Sequence, residues 1–268
     1  MRHNQATIGQ FVFLLLVAIF LQAAQSPAFA DGLEDARRRG QLLAGVKTDF
    51  PPFGYINNGK YSGFDIEIAR YFAKAFFNDE RRVNFVPVTS GSRIPFLYSG
   101  WIDLIVATMT ITDDRKRVLE FSEPYFVSGS LFLVTQSSPV SGLEDLEGKT
   151  VAVIEGSIQA EDLKQIAPQV ELLSFATVSE ALQSLKAGDV DAFCQDDVLV
   201  LKLAENDPDL QTVGKPFIPR PYAVAVRKGE VEFITWINEQ LAKMKNDGTY
   251  QRLWEKYFGD IEDHLIKP

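Results

Sequence analysis

The chain has 268 residues, 46% of them hydrophobic and 24% charged, with a formal net charge of −9. That length supports one large or two modest domains with real cores. The acidic balance argues against nucleic acid and anionic lipid surfaces as partners, because both want a basic face. One cysteine, Cys194, excludes an internal disulfide, and His3 and His264, near the two ends, leave no basis for Ser-His-Asp, Cys-His or His-rich metal chemistry. There is no glycine-rich phosphate loop ending in Lys-Ser or Lys-Thr, so no cofactor and no metal are expected.

Residues 1–30 read as a secretory signal peptide. Arg2 is followed by the apolar run FVFLLLVAIFL and then by Ala28-Phe29-Ala30 ahead of Asp31. The run is shorter than the roughly 20 residues a spanning helix needs. No cysteine lies near the cleavage site to take a lipid, and no later segment is long and apolar enough to cross a bilayer. A soluble mature chain beginning at Asp31 in the periplasm is expected.

From there strands and helices alternate. A strand at 42–47 is broken by Pro51 and Pro52. Asp65 is placed to cap a helix reaching residue 77, with Ile66, Ala69, Phe72 and Phe76 on one stripe. Then come a strand at 83–88, a short helix at 94–98 and strands at 103–107 and 131–135. A second set begins after Ser137-Ser138-Pro139: a strand at 150–154, a helix capped by Ser157, a strand at 170–173, a helix at 178–187 ending at Gly188, and a strand at 190–193. A helix opening at Asp196 runs to about residue 205. Pro216, Pro219 and Pro221 predict a rigid, irregular connection, followed by a strand at 222–226 and helices at 231–245 and 249–257.

This order predicts an α/β fold with mostly parallel sheets. Its two sets of elements predict two lobes: residues 31–124 with 223–268, and residues 130–217, joined by hinges at 125–129 and 218–222. Ligands in open α/β sheets sit at the carboxyl ends of strands, and a cleft between two lobes collects such ends from both sides.

Four loops that follow strands carry unusual residues: Lys47-Thr48-Asp49-Phe50-Pro51-Pro52-Phe53, Thr89-Ser90-Gly91-Ser92-Arg93-Ile94-Pro95, the stretch from Ala107 to Arg115, and Gln195-Asp196-Asp197. In this order they resemble the bacterial periplasmic amino-acid-binding proteins of ABC importers, over nearly the whole span from Leu42 to Gly259. Gly63-Phe64-Asp65-Ile66-Glu67, Phe121-Ser122-Glu123-Pro124-Tyr125 and Asn246-Asp247-Gly248-Thr249-Tyr250 support the likeness. The resemblance implies the type II periplasmic-binding-protein fold, with two α/β lobes joined by two hinge strands. It implies a monomer that binds a small amino acid and hands it to a membrane permease and ATPase. It implies that Arg115 clamps the ligand α-carboxylate, where a two-pronged guanidinium fits best, with Thr108 and Thr110 as further donors. Asp196 would take the α-ammonium and Phe50 would cover the ligand. Gly156, Ser157 and Ile158 would open a helix whose free N–H groups face an anion. Thr112 looks structural, Tyr125 stands at a hinge, and Cys194 reads as a small buried hydrophobe.

Arg115 and Asp196 already match the two backbone charges of a free amino acid. Lys47 and Arg93 are then surplus cations, and buried surplus charge calls for an anion. The family comparison points the same way: members that bind glutamate or aspartate carry basic residues at these two positions and a small residue such as Ser90. An acidic ligand, glutamate or aspartate, is therefore expected. Two features pull against it: Asp49 could neutralise one cation, and Val178 stands where some acidic binders place a His or Tyr side chain. Glutamine or a broad polar set is the alternative. A dehydratase on the same scaffold is a further reading, with Glu155 as its one spare cleft-edge carboxylate. A receptor's sensing portion is disfavoured by the lack of spanning segments.

Overall fold

The computed structural model describes residues 32–259 and residue 261. The expected signal peptide and cleavage site lie outside the described residues. The chain opens with α1 (Gly32–Arg39), β1 (Leu42–Val46), β2 (Asp49–Phe50), β3 (Gly54–Asn57) and β4 (Lys60–Ser62). Then follow α2 (Phe64–Phe77), β5 (Val83–Pro87), α3 (Arg93–Tyr98), β6 (Leu104–Ile105), α4 (Asp113–Val118) and β7 (Leu119–Phe121). The middle holds β8 (Phe126–Thr135), a 3-10 turn (Leu143–Leu146), β9 (Thr150–Ile154), α5 (Gln159–Ile166), β10 (Glu171–Phe175), α6 (Val178–Ala187), β11 (Ala192–Asp196), α7 (Asp197–Asn206) and β12 (Leu210–Tyr222). β13 (Ala225–Arg227), α8 (Val231–Asn246) and α9 (Thr249–Phe258) return to the first sheet.

Two five-stranded sheets result, in the orders β5-β1-β6-β13-β7 and β10-β9-β11-β8-β12, with a small antiparallel sheet β2-β3-β4 beside the first. In the first sheet β1 runs parallel to β5 and β6 while β13 runs antiparallel to β6 and β7. In the second, β9 runs parallel to β10 and β11 while β8 runs antiparallel to β11 and β12. This is the two-lobed α/β architecture expected. β1 reads as an apolar run rather than an alternation because helices cover both faces of a largely parallel sheet, and four of its five residues are buried.

The chain leaves the first lobe along the start of β8 and returns along the end of β12. The two crossings are paired, Phe126 with Tyr222, Val127 with Pro221 and Ser128 with Arg220. An aromatic cluster packs against them: Phe53 meets Phe126, Tyr222 and Phe258 edge-on or tilted at 4.9, 5.6 and 5.3 Å between ring centres. Trp254 stacks on Phe126 at 5.1 Å. Such pairs add about 0.5–1.5 kcal/mol each beyond their buried area, so α9 is pinned to the crossing point.

The structure adds α1, β2, β3, β4, α4 and β7 to the elements read from the sequence and corrects three others. The proline-rich stretch is not an irregular connection but the last half of β12, with register shifts on either side of Phe217. A prolyl nitrogen cannot donate to a neighbouring strand, and β12 is an outer strand with one side unpaired. β8 begins at Phe126, five residues before the expected strand, because the stretch read as a hinge, 125–129, is itself paired with β12. Asp65 is not a cap: Gly63 precedes the helix, and Asp65 is fully buried inside its first turn.

Asp197, at the start of α7, binds the outgoing crossing. Its carboxylate accepts from Ser128 Oγ (2.5 Å), from the Gly129 N–H (3.2 Å) and from the Val198 N–H (2.8 Å). Replacing Asp197 by Ala strands a buried hydroxyl and a buried amide, each costing about 1–3 kcal/mol. Urea unfolding of Asp197→Ala should lose about 2–4 kcal/mol relative to the parent chain.

Candidate functional site

The two lobes meet over a small space of about 10 Å³, lined from the first lobe by Phe50, Ser90, Arg93, Thr108 and Thr110 and from the second by Ser157, Ile158, Gln159, Gln195 and Asp196. One water needs about 10–15 Å³, so the lobes are closed on each other. Seven of the nine residues selected from the sequence line this space. Lys47 and Arg115 do not, and flank it instead.

Lys47 follows β1 and is 2% exposed. Its ammonium donates to Ser90 Oγ (2.7 Å) and stands 4.7 Å over the Phe50 ring. Burial, and then the charge of Arg93, push its pKa down from 10.5 to about 8. Arg93 opens α3, is also 2% exposed, and donates through Nη1 to the carbonyls of Ala107 (2.6 Å) and Thr108 (3.1 Å). Its Nε is buried without a partner. Burial, and then Arg115, push its pKa down to about 9. Among the described residues, no ion pair within 4.0 Å joins Lys47 or Arg93 to a carboxylate.

Asp49, the feared neutraliser, is committed elsewhere. Its carboxylate crosses the cleft to accept from the Val178 N–H (3.2 Å) at the first turn of α6. That helix has a capping box, Thr177 with Glu180, so Asp49 adds a negative charge at an already organised positive end. Its field still reaches Lys47 and opposes the downward shift there. Val178 therefore contributes its backbone to the contact between lobes.

Arg115 is half-buried. Its guanidinium donates to Thr110 O (2.9 Å) in its own lobe and to Gly156 O (3.1 Å) in the other. Thr112 caps α4 by accepting from the Arg115 N–H at 3.2 Å, which holds the arginine's backbone at the cleft edge. Thr108, 4% exposed, adopts a left-handed backbone with φ 46, unusual for a β-branched residue, and its N–H donates to Asp65 at 2.9 Å.

On the second lobe one capping expectation is corrected. Ser157 does not cap a helix: α5 starts at Gln159, and Ser157 Oγ is buried without a partner. Asp196 occupies the residue before α7 but makes no side-chain cap. Its carboxylate instead accepts from Gln159 Nε2 at 2.7 Å, and burial pushes its pKa up. Gln159, 1% exposed, also reaches Ser130 Oγ at 3.3 Å. Sequence reasoning missed Gln159 and Gln195 because a glutamine carries no charge to balance and both stand beside stronger candidates. Among the described residues no group of three or more His, Cys, Asp or Glu could hold a metal.

Gly156 marks the closest approach of the lobes. Its φ is +73, and a Cβ there would stand 2.6 Å from Gly91 Cα and 2.7 Å from Gly91 N. Both are backbone atoms, so only a separation of the lobes would relieve the clash. Gly156→Ala should therefore hold the cleft open, and small-angle scattering should return a larger radius of gyration than for the parent chain. The left-handed backbone adds a cost of about 1–2 kcal/mol to folding.

Comparison with known proteins places these residues in context. Residues 42–260 match the family model of bacterial extracellular solute-binding proteins, family 3. The chain is 37% identical to the ABC transporter glutamine-binding protein GlnH of Bacillus subtilis (strain 168), over 94% of this chain and 95% of that one. It is 39% identical to the glutamine-binding protein of Geobacillus stearothermophilus, over 77% of this chain and 80% of that one. Among solved structures, an ancestral arginine-binding protein bound to glutamine superposes with a TM-score of 0.78 at 42% identity, covering 82% of this chain and 99% of that one.

Proposed function

Because the chain belongs to the bacterial extracellular solute-binding proteins of family 3, we propose that its cleft takes up an acidic amino acid, glutamate or aspartate, and delivers it to the permease and ATPase of an ABC importer. The observation that carries the acidic ligand is the pair Lys47 and Arg93, each 2% exposed and neither within ion-pair distance of a carboxylate among the described residues. Buried unpaired charge costs several kcal/mol. A side-chain carboxylate on the ligand would offset that cost, while Arg115 and Asp196 meet the α-carboxylate and α-ammonium. Thr108 and Thr110 supply further donors, Ser90 orients Lys47, Phe50 covers the ligand, and Ser157 closes over it from the second lobe.

Binding rather than catalysis fits the groups at hand. The carboxylate facing the space, Asp196, is tied to Gln159, the Lys47 ammonium is taken up by Ser90 Oγ, and Glu155 is exposed at the rim. The lobes, residues 31–124 with 223–268 and residues 130–217, would part at hinges 125–129 and 218–222 to admit the ligand, since the closed space is too small to receive one.

Glutamine is the second reading. Two relatives of 37% and 39% identity are named for glutamine, and the charge of Asp49 acts on Lys47. Calorimetric titration separates the two. Arg93→Ile should weaken glutamate by about 2–5 kcal/mol, as for a buried hydrogen-bonded charge pair, and glutamine far less. Lys47→Asp combined with Arg93→Ile should invert the preference. Equal weakening of both ligands by Arg93→Ile, or a parent chain that prefers glutamine, sinks the acidic assignment.

The pH dependence gives a separate check. Lys47 titrates near 8 without an anion beside it, and a bound carboxylate would raise that value. Glutamate binding should then take up protons around pH 8, and its affinity should fall as pH rises through 8 toward the ordinary lysine value. Glutamine shares the α-ammonium but not the side-chain carboxylate, so its affinity should fall less over the same range. Titration in buffers of different ionisation enthalpy reads the proton uptake directly.

A further inference from the structure

Gln195, fourth residue of β11, is 1% exposed and lines the space between the lobes. Its side-chain amide is fixed from one end: the Asp196 N–H donates to Gln195 Oε1 at 2.9 Å. The nitrogen end, Nε2, is thereby the free end, and it is buried with no hydrogen-bond partner. Buried polar groups in folded proteins almost always find a partner. Arg93 Nε and Ser157 Oγ share this condition, and all three residues line the same space. The two nitrogens are obligatory donors. The chain therefore presents donors here from both lobes and leaves the acceptor to come from what it binds.

We propose that Gln195 Nε2 is a specificity-determining donor that holds a side-chain oxygen of the ligand from the second lobe, opposite Lys47 and Arg93 on the first. This rests on the amino-acid-binding reading above, in which Arg115 and Asp196 engage the ligand's α-carboxylate and α-ammonium. The acceptor left to a polar ligand is then the oxygen at the end of its side chain. Lys47 and Arg93 separate a charged side chain from a neutral one. Gln195, neutral itself, separates a side chain that ends in oxygen from one that ends in carbon. Because its donor comes from the opposite lobe, an oxygen gripped by all three favours the closed arrangement, and an apolar side chain of equal length does not.

Gln195→Met keeps length and burial and removes the donor. The Met variant and the parent chain are titrated calorimetrically with glutamate, with glutamine and with 2-aminopentanoate, an unbranched amino acid with no side-chain oxygen. The expected result is a loss of about tenfold or more for glutamate and glutamine, with 2-aminopentanoate changed less than threefold. Gln195→Glu, which faces an acceptor into the cleft, should weaken glutamate more than glutamine. Equal weakening of all three ligands by Gln195→Met, or an unchanged glutamate affinity, overturns the assignment. So does a Gln195→Glu variant with the parent's ratio of glutamate to glutamine. A parent chain that binds none of the three overturns the functional reading itself, and this one with it. Binding by the parent with unaltered ratios in both variants overturns this one alone.

Discussion

One buried carboxylate ties the ligand-facing side of the first lobe to the strand that leaves it. Asp65, fully buried in the first turn of α2, accepts from the Thr108 N–H at 2.9 Å and from the Tyr125 hydroxyl at 2.9 Å. Thr108 in turn offers its carbonyl to Arg93, and the Tyr125 N–H donates to Tyr222 O on the returning crossing. Removing Asp65 would free three things together: the strained turn at Thr108, the base of the arginine and the start of the hinge strand. Burial pushes Asp65 up to about 6, although Lys47 and Arg93 pull it down.

Much of this was legible from residues alone, and the reason lies in their chemistry. The resemblance picked out Arg115 and Asp196, and the cost of burying surplus charge then picked out Lys47 and Arg93. Helices with clear stripes or stops, such as α2 and α6, follow from periodicity and from glycine or capping residues. Hydrogen-bond partners did not. Asp65, Ser157 and Asp196 all precede or open helices, where a capping role is the default, and in each case the tertiary structure uses or strands the side chain differently. The proline-rich half of β12 misled for a related reason: proline forbids a central strand but not an outer one, and strand order is a property of the whole sheet.

The two lobes repeat one plan, three parallel strands, then one reversed strand, then an outer strand that runs with the first three, and they differ in what they bring to the cleft. The first supplies the cations. The second supplies a carboxylate, two glutamines and a carbonyl. Opening the cleft exposes cations on one wall and the Asp196 carboxylate on the other, so each wall attracts a different end of a zwitterion, and neither alone encloses it. The paired crossings between them are held by Asp197 on one side and by the aromatic cluster on the other.

The prolines of β12 carry a meaning beyond the hinge. An unpaired outer strand is a template on which another chain can build, and Pro216, Pro219 and Pro221 strip donors from that edge. The opposite edge of the same sheet, β10, has no proline, and Leu173 there is 43% exposed. While the second lobe is folding, misassembly between copies should therefore start on the β10 side, and a lysine or proline placed facing outward on that strand would blunt it.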